Sequence, residues 1–196
     1  MDKHARLGEQ PHVYRQFPLS DGTTVTLRPL QSNDLDKLLL FINTLVKEKR
    51  EDRKSQLFTG FEEKVSKKME ADYLYQTLAS IKYGETISVA AEIEDKIIGN
   101  GEVTRGKYLE TEHYGHLGLT ILPQFRGRGI GREMVDTLVK ESQTRGLKTI
   151  YVEFLSTNTA ALHTYEKAGF EKAGILPGKV SRNGKFLDSI IMVRQL

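Results

Sequence analysis

The sequence predicts a single α/β domain with a mixed, mostly antiparallel sheet, a central βαβ unit and helices on both faces. Three observations lead there. Apolar residues recur at helical spacing before Gly84 and alternate after it, so helices come first and strands follow. The apolar run Leu117 to Pro123 runs into a glycine turn, then into Met134, Val135, Leu138 and Val139 at helical spacing, then into the β-branched run Thr149 to Leu155. Two strands joined by a helix pair in parallel, whereas the tight turns elsewhere join antiparallel neighbours. A chain of 196 residues suits one hydrophobic core.

Each element has its own signal. Residues 1–12 are polar and are expected to form a flexible N-terminus, with one domain over 13–196. Val13 to Phe17 reads as a short edge strand, and Asp21-Gly22 as the turn before a strand over Thr23 to Arg28 that ends at Pro29. Ser32-Asn33-Asp34 offers N-cap chemistry for a helix over Asn33 to Arg50. A second helix is expected from Glu62 to Ile81, burying Val65, Met69, Leu74, Leu78 and Ile81 and ending at Gly84. Ile87–Glu94 and Lys96–Thr104 make a hairpin about Glu94-Asp95, and a polar loop leads to a strand over Tyr114 to Leu122. A helix from Gly131 to Arg145 is closed by Gly146, and a short one from Thr159 to Ala168 by Gly169. Phe170–Ile175 and Phe186–Arg194 are the last strands, with Asn183-Gly184 as a turn between them.

Composition narrows the function classes. Charged residues are 28 % and hydrophobic ones 38 %, as in ordinary globular proteins. A net charge of +3 is too small for a dedicated nucleic-acid binder, and no aromatic-rich RNA-binding strand accompanies the arginines. No cysteine is present, which removes disulfides, thiol nucleophiles and thiolate metal sites. His113, His116 and His163 lack metal-ligand spacing, so no metal is expected. The N-terminus carries no apolar leader and no run has the length of a membrane span, so a cytoplasmic protein without membrane contact is expected.

Chemistry concentrates between His116 and Phe170. In Arg126-Gly127-Arg128-Gly129-Ile130-Gly131-Arg132 alternate glycines let successive N–H groups face one concavity, and the helix start adds partial positive charge. A phosphate suits that nest, with Arg126, Arg128 and Arg132 available for charge-assisted bonds. Alone, such a loop is equally a tight strand-to-helix turn with solvated arginines.

Arg126-x-x-Gly129-x-Gly131 resembles the acyl-CoA pyrophosphate loop of the GNAT superfamily of N-acetyltransferases, written [QR]-x-x-G-x-[GA]. Gln124-x-x-Gly127-x-Gly129 fits the same pattern two residues earlier; the later register puts the last glycine at the helix start. Asn158, followed by Tyr165 and then Gly169-Phe170, resembles the second signature of that superfamily, and Arg28-Pro29-Leu30-x-x-x-Asp34 its common opening. The resemblance is specific over Leu117 to Phe170. It implies a GNAT-like fold and an enzyme that moves an acetyl group from acetyl-CoA to a primary amine by direct attack in a ternary complex. An alternative is a non-catalytic acyl-CoA-binding protein of the same fold.

Within that resemblance, the N–H groups of Gly127 to Arg132, Ile130 included, are expected at the pyrophosphate of coenzyme A. The backbone of Leu119, Thr120 and Ile121 is expected to pair with the pantetheine amides if the strands on either side splay. Asn158 is expected to contact the same arm, although its plain reading is an N-cap of the following helix. Tyr165 holds the proton-donor position for the departing thiolate, its plain reading being core packing. Glu153 lies where the bacterial enzymes that acetylate the N-terminal alanine of a ribosomal protein carry their base, and an apolar cleft would raise its pKa. His116 and Glu102 are rival bases. The acceptor pocket is expected between the two N-terminal helices and the Gly178 to Lys185 turn, and the acceptor remains open among peptide N-termini, lysines and small amines. Exposed strand edges leave room for a homodimer.

Overall fold

The computed structural model describes residues 12–52, 55–57 and 60–196, so the expected flexible terminus lies almost wholly outside the described residues. In chain order the elements are β1 (Arg15–Pro18), β2 (Thr24–Arg28), α1 (Leu35–Glu51), α2 (Lys67–Lys82), β3 (Thr86–Ile93), β4 (Lys96–Arg105), β5 (Tyr114–Ile121), α3 (Ile130–Thr144), β6 (Thr149–Leu155), α4 (Thr159–Lys167), β7 (Glu171–Arg182) and β8 (Lys185–Gln195). The strands form one sheet in the order β1-β2-β3-β4-β5-β6-β8-β7. Every neighbouring pair is antiparallel except β5 and β6, the pair that α3 connects.

Strand alternation sends side chains to two cores. Val25, Leu27, Ile87, Val89, Leu117, Ile150 and Val152 face α3 and α4, where Met134, Val135 and Leu138 are fully buried. On the other face Ala90 and Ile97 meet Leu38, Phe41 and Leu45 of α1 and Leu74 of α2. Helices therefore cover both faces, as expected from the changing hydrophobic period.

The corner before α1 differs from its expected cap. The helix starts at Leu35, and the Asp34 side chain makes no cap bond. Instead it is wholly buried and receives both Arg28 guanidinium nitrogens, at 2.8 and 2.7 Å, while Arg28 also meets Glu92. A buried arginine between two carboxylates has its charge satisfied there, which explains why arginine and aspartate stand six residues apart.

Two boundaries also move. Helix α2 begins at Lys67, because Ser66 caps it and the Asn43 side chain clasps Val65, accepting from its N–H at 2.8 Å and donating to its carbonyl at 3.1 Å. Met69, expected inside, is 50 % exposed. Strand β7 runs on to Arg182, through Pro177-Gly178, rather than stopping at Ile175. It is the outermost strand of the sheet, where a missing N–H costs no ladder bond, and a bulge between Leu176 and Val180 absorbs the distortion. The expected Gly178 to Lys185 turn is thus mostly strand, with a tight turn at Asn183-Gly184, both of positive φ.

Candidate active site

The parallel pair β5 and β6 opens. Pairing runs from Tyr114–Thr149 to Leu117–Val152 and stops there, while β5 continues to pair with β4 as far as Ile121. Leu119, Thr120 and Ile121 therefore present to the gap a backbone edge that no strand pairs with, its Ile121 carbonyl taken by Arg126. That gap is a cleft of about 580 Å³ whose walls include Leu119, Thr120, Ile121, Arg126, Glu153, Asn158 and Tyr165, together with both rival bases, His116 and Glu102. Gly118 lies opposite Glu102 across β4 and β5, and a Cβ there would meet nothing within 4 Å, so the floor of the cleft is left open.

At one end lies the glycine loop. Gly127 and Gly129 have φ of +71° and +84°, a left-handed conformation that side chains resist, and Gly129 caps α3. The first N–H groups of α3, those of Ile130 and Gly131, have no partner within the helix by geometry, so they and the loop N–H groups are the donors on which the expected anion nest rests. At Gly131 an added Cβ would lie 3.3 Å from Ile121 Cδ1, which explains a third glycine by close helix-to-strand approach. The arginines are placed otherwise than a free phosphate clamp. Arg126 donates from Nε to the Ile121 carbonyl at 2.8 Å and from both terminal nitrogens to Glu48 of α1, at 2.7 and 2.8 Å. Arg128 pairs with Asp21, and Arg132 bonds Asp136 at 2.6 Å and the Lys167 carbonyl. Backbone N–H groups, with these side chains already engaged, are the donor set that fits a pyrophosphate.

Asn158 caps α4, its Oδ1 accepting from Ala161 N at 3.0 Å, so the plain reading of that residue holds while its amide still borders the cleft. Tyr165 is both core and site. It is 5 % exposed, packed on Phe154 and Phe170 with ring centroids 5.5 and 5.4 Å away, and burial raises its pKa. A raised phenol stays protonated across the physiological range, the state a proton donor needs.

Glu153 departs from expectation. Partial burial pushes its carboxyl up, but hydrogen bonds from Lys179 and Ser189, each 2.7 Å, and the charges of Lys179 and His116 outweigh that and leave its pKa lowered. Beside it the His116 ring lies 4.7 Å from that of Tyr151, and desolvation lowers its pKa, opposed by Glu153 and aided by Lys179. The raised carboxyl is Glu102, shifted chiefly by desolvation. Tyr73 of α2 donates to it, and Asn100 donates to the Tyr73 hydroxyl at 3.1 Å. The Asn100 side-chain oxygen, Oδ1, is buried with no hydrogen-bond partner among the described residues. Glu48, Tyr73 and Asn100 also line the cleft, while Lys179 and Ser189 reach Glu153; the sequence places the two N-terminal helices and the Gly178 to Lys185 turn at the acceptor pocket but does not single out any of these residues.

Three comparisons place this arrangement among known proteins. The model of the acetyltransferase (GNAT) family matches residues 50–170, more than half of the chain. A [ribosomal protein bS18]-alanine N-acetyltransferase of Salmonella typhimurium is 35 % identical over 74 residues, 38 % of this chain and 50 % of that protein. The chain thus spans half the length of that relative, and 28 % of an uncharacterized protein of Mycobacterium leprae that it also matches. Among solved structures, a GNAT-family acetyltransferase from Streptococcus pneumoniae superposes with a TM-score of 0.75 at 21 % identity, covering 88 % of this chain and 99 % of that one. A putative acetyltransferase from Salmonella typhimurium, solved with acetyl-CoA, gives 0.73 at 17 % identity over 87 % and 93 % of the two chains. These two share the fold. The family match spans the glycine loop, the opened strand edge and Tyr165, and the chain belongs to the acetyltransferase (GNAT) family.

Proposed function

We propose that the chain is an acetyl-CoA-dependent N-acetyltransferase acting on the N-terminal amine of a protein or peptide, by direct attack within a ternary complex. One observation carries the reading: the edge of Leu119 to Ile121 that no strand pairs with opens beside a glycine turn of left-handed φ at a helix start, with a buried tyrosine at its wall. Bound there, acetyl-CoA supplies the acetyl group as an activated thioester. The N–H groups from Gly127 to Arg132 hold the pyrophosphate, the edge of β5 pairs with the pantetheine amides, and Asn158 borders the same arm. Tyr165 delivers its phenolic proton to the departing sulfur. Glu153 takes the proton of the attacking amine. With no cysteine in the chain, no thiol is available to carry the acetyl group, which favours one-step transfer.

The peptide acceptor is favoured by the Salmonella relative, a [ribosomal protein bS18]-alanine N-acetyltransferase. For the base alone, a second reading has its own observation: the raised pKa of Glu102, held by Tyr73, suits proton abstraction near neutral pH. Thiol release from acetyl-CoA with alanine-terminated peptides, lysine peptides, polyamines and aminoglycosides tests the function. Turnover is expected with the N-terminal peptides, and turnover only with small amines would overturn the acceptor assignment.

A further inference from the structure

The amine nearest Glu153 belongs to the chain itself. Three residues of β7, Pro177 to Lys179, stand opposite Asp188 of β8, between the pairs Leu176–Ser189 and Val180–Leu187. Gly178 takes a φ of +62° and its N–H bonds the Asp188 carboxylate at 2.8 Å. Bulges re-aim the side chains they carry, and this one lays Lys179 across the sheet, with Nζ 2.7 Å from Glu153 Oε2. Glu153 lines the transfer cleft, and the Lys179 side chain is 43 % exposed, so its amine is held against a cleft residue without being locked into the core.

We propose that Lys179 is an acetylation site of the chain's own cleft, and that its acetylation releases Glu153. The inference rests on the transfer reaction proposed above. Lys179 first yields one proton to Glu153. Its Nζ lone pair then attacks the thioester carbonyl carbon, the N–C bond forms, and the C–S bond breaks with the electron pair leaving on sulfur. The second proton lost from Nζ goes to that sulfur through Tyr165, and no oxidant or reductant is consumed. The acetylated side chain has no charge, so Glu153 loses its ion pair. Among the described residues it then keeps Ser189 of β8 as a hydrogen-bond donor and His116 of β5 as a facing titratable group. A carboxylate freed from a cation is a stronger base. The resting pair would thereby hold the site below full activity until the chain has modified itself.

The test is to incubate the full chain with acetyl-CoA and no acceptor, and to map acetylated lysines by mass spectrometry. Lys68, whose side chain is 88 % exposed, reports uncatalysed background. Lys179 is expected to react at least roughly tenfold faster than Lys68 through its held position, with a rate constant unchanged on dilution and reduced in Glu153→Gln. Equal rates at Lys179 and Lys68 would overturn the proposal. In a second arm, the acidic limb of kcat is expected at higher pH in Lys179→Gln than in Lys179→Arg, and coincident limbs would overturn the release of Glu153. A peptide acetylated in a parallel reaction while Lys179 stays unmodified would sink this inference alone. No binding of acetyl-CoA at all would sink the proposed function, and this inference with it.

Discussion

Tyr165 carries the proton-donor assignment. Its hydroxyl is the one group that Tyr165→Phe removes, while the ring stays packed between Phe154 and Phe170. The variant is expected to fold normally, bind acetyl-CoA as before and lose about 10²- to 10⁴-fold in kcat, measured by thiol release. Unchanged turnover would return Tyr165 to plain core packing. The base separates by pH. Glu153 is lowered by Lys179 and Ser189 against its own desolvation, so its ionised form persists below the ordinary glutamate value of about 4.3. Glu102 is raised by desolvation, so its ionised form is lost above that value. With Glu153 as base and Lys179→Arg keeping a cation that the chain's own cleft does not acetylate, kcat is expected to hold as pH falls until below about 4.3. A limb clearly above that value, moved by Tyr73→Phe, would transfer the role to Glu102.

At the level of elements, the glycine loop and the β2–α1 corner show two kinds of constraint. The nest is made by backbone at left-handed φ, so Gly129→Ala is expected to cost about 1–2 kcal/mol in strain and to weaken acetyl-CoA binding. Arg126→Ala is expected to weaken binding less in a calorimetric titration, because its guanidinium is spent on Glu48 and on the Ile121 carbonyl. At the corner, Asp34→Ala leaves the buried Arg28 with Glu92 as its remaining carboxylate, and a loss of about 3 kcal/mol is expected in denaturant unfolding. Both motifs were visible in the sequence because glycine spacing and a fixed arginine-to-aspartate interval are local. What was not visible was non-local. Whether Glu153 faces an apolar cleft or a lysine depends on a bulge in β7, 26 residues further along the chain. Helix α2 was read four residues too long because the apolar period runs through Val65, whose extended backbone is set by Asn43 on α1. The sequence ends strand β7 at Ile175, before Pro177, because its place at the sheet edge, which makes proline tolerable, is a property of topology.

For the whole molecule, the sheet supplies the function through one irregularity. Antiparallel strands run on both sides of a single parallel pair, and that pair separates beyond Leu117 and Val152, where the helix start, the free strand edge and the buried tyrosine converge. The cleft is filled from the folded state only, so ligand binding must appear as stability. With acetyl-CoA at about a hundred times its dissociation constant, a gain of about 2.7 kcal/mol is expected. For a chain of this size that is a rise in melting temperature of roughly 5–10 °C. The measurement that tests the central claim most directly is thermal unfolding with acetyl-CoA and, in parallel, with ATP. A rise with acetyl-CoA that ATP does not reproduce is the expected result. No rise at excess acetyl-CoA, or an equal rise with ATP, would contradict it.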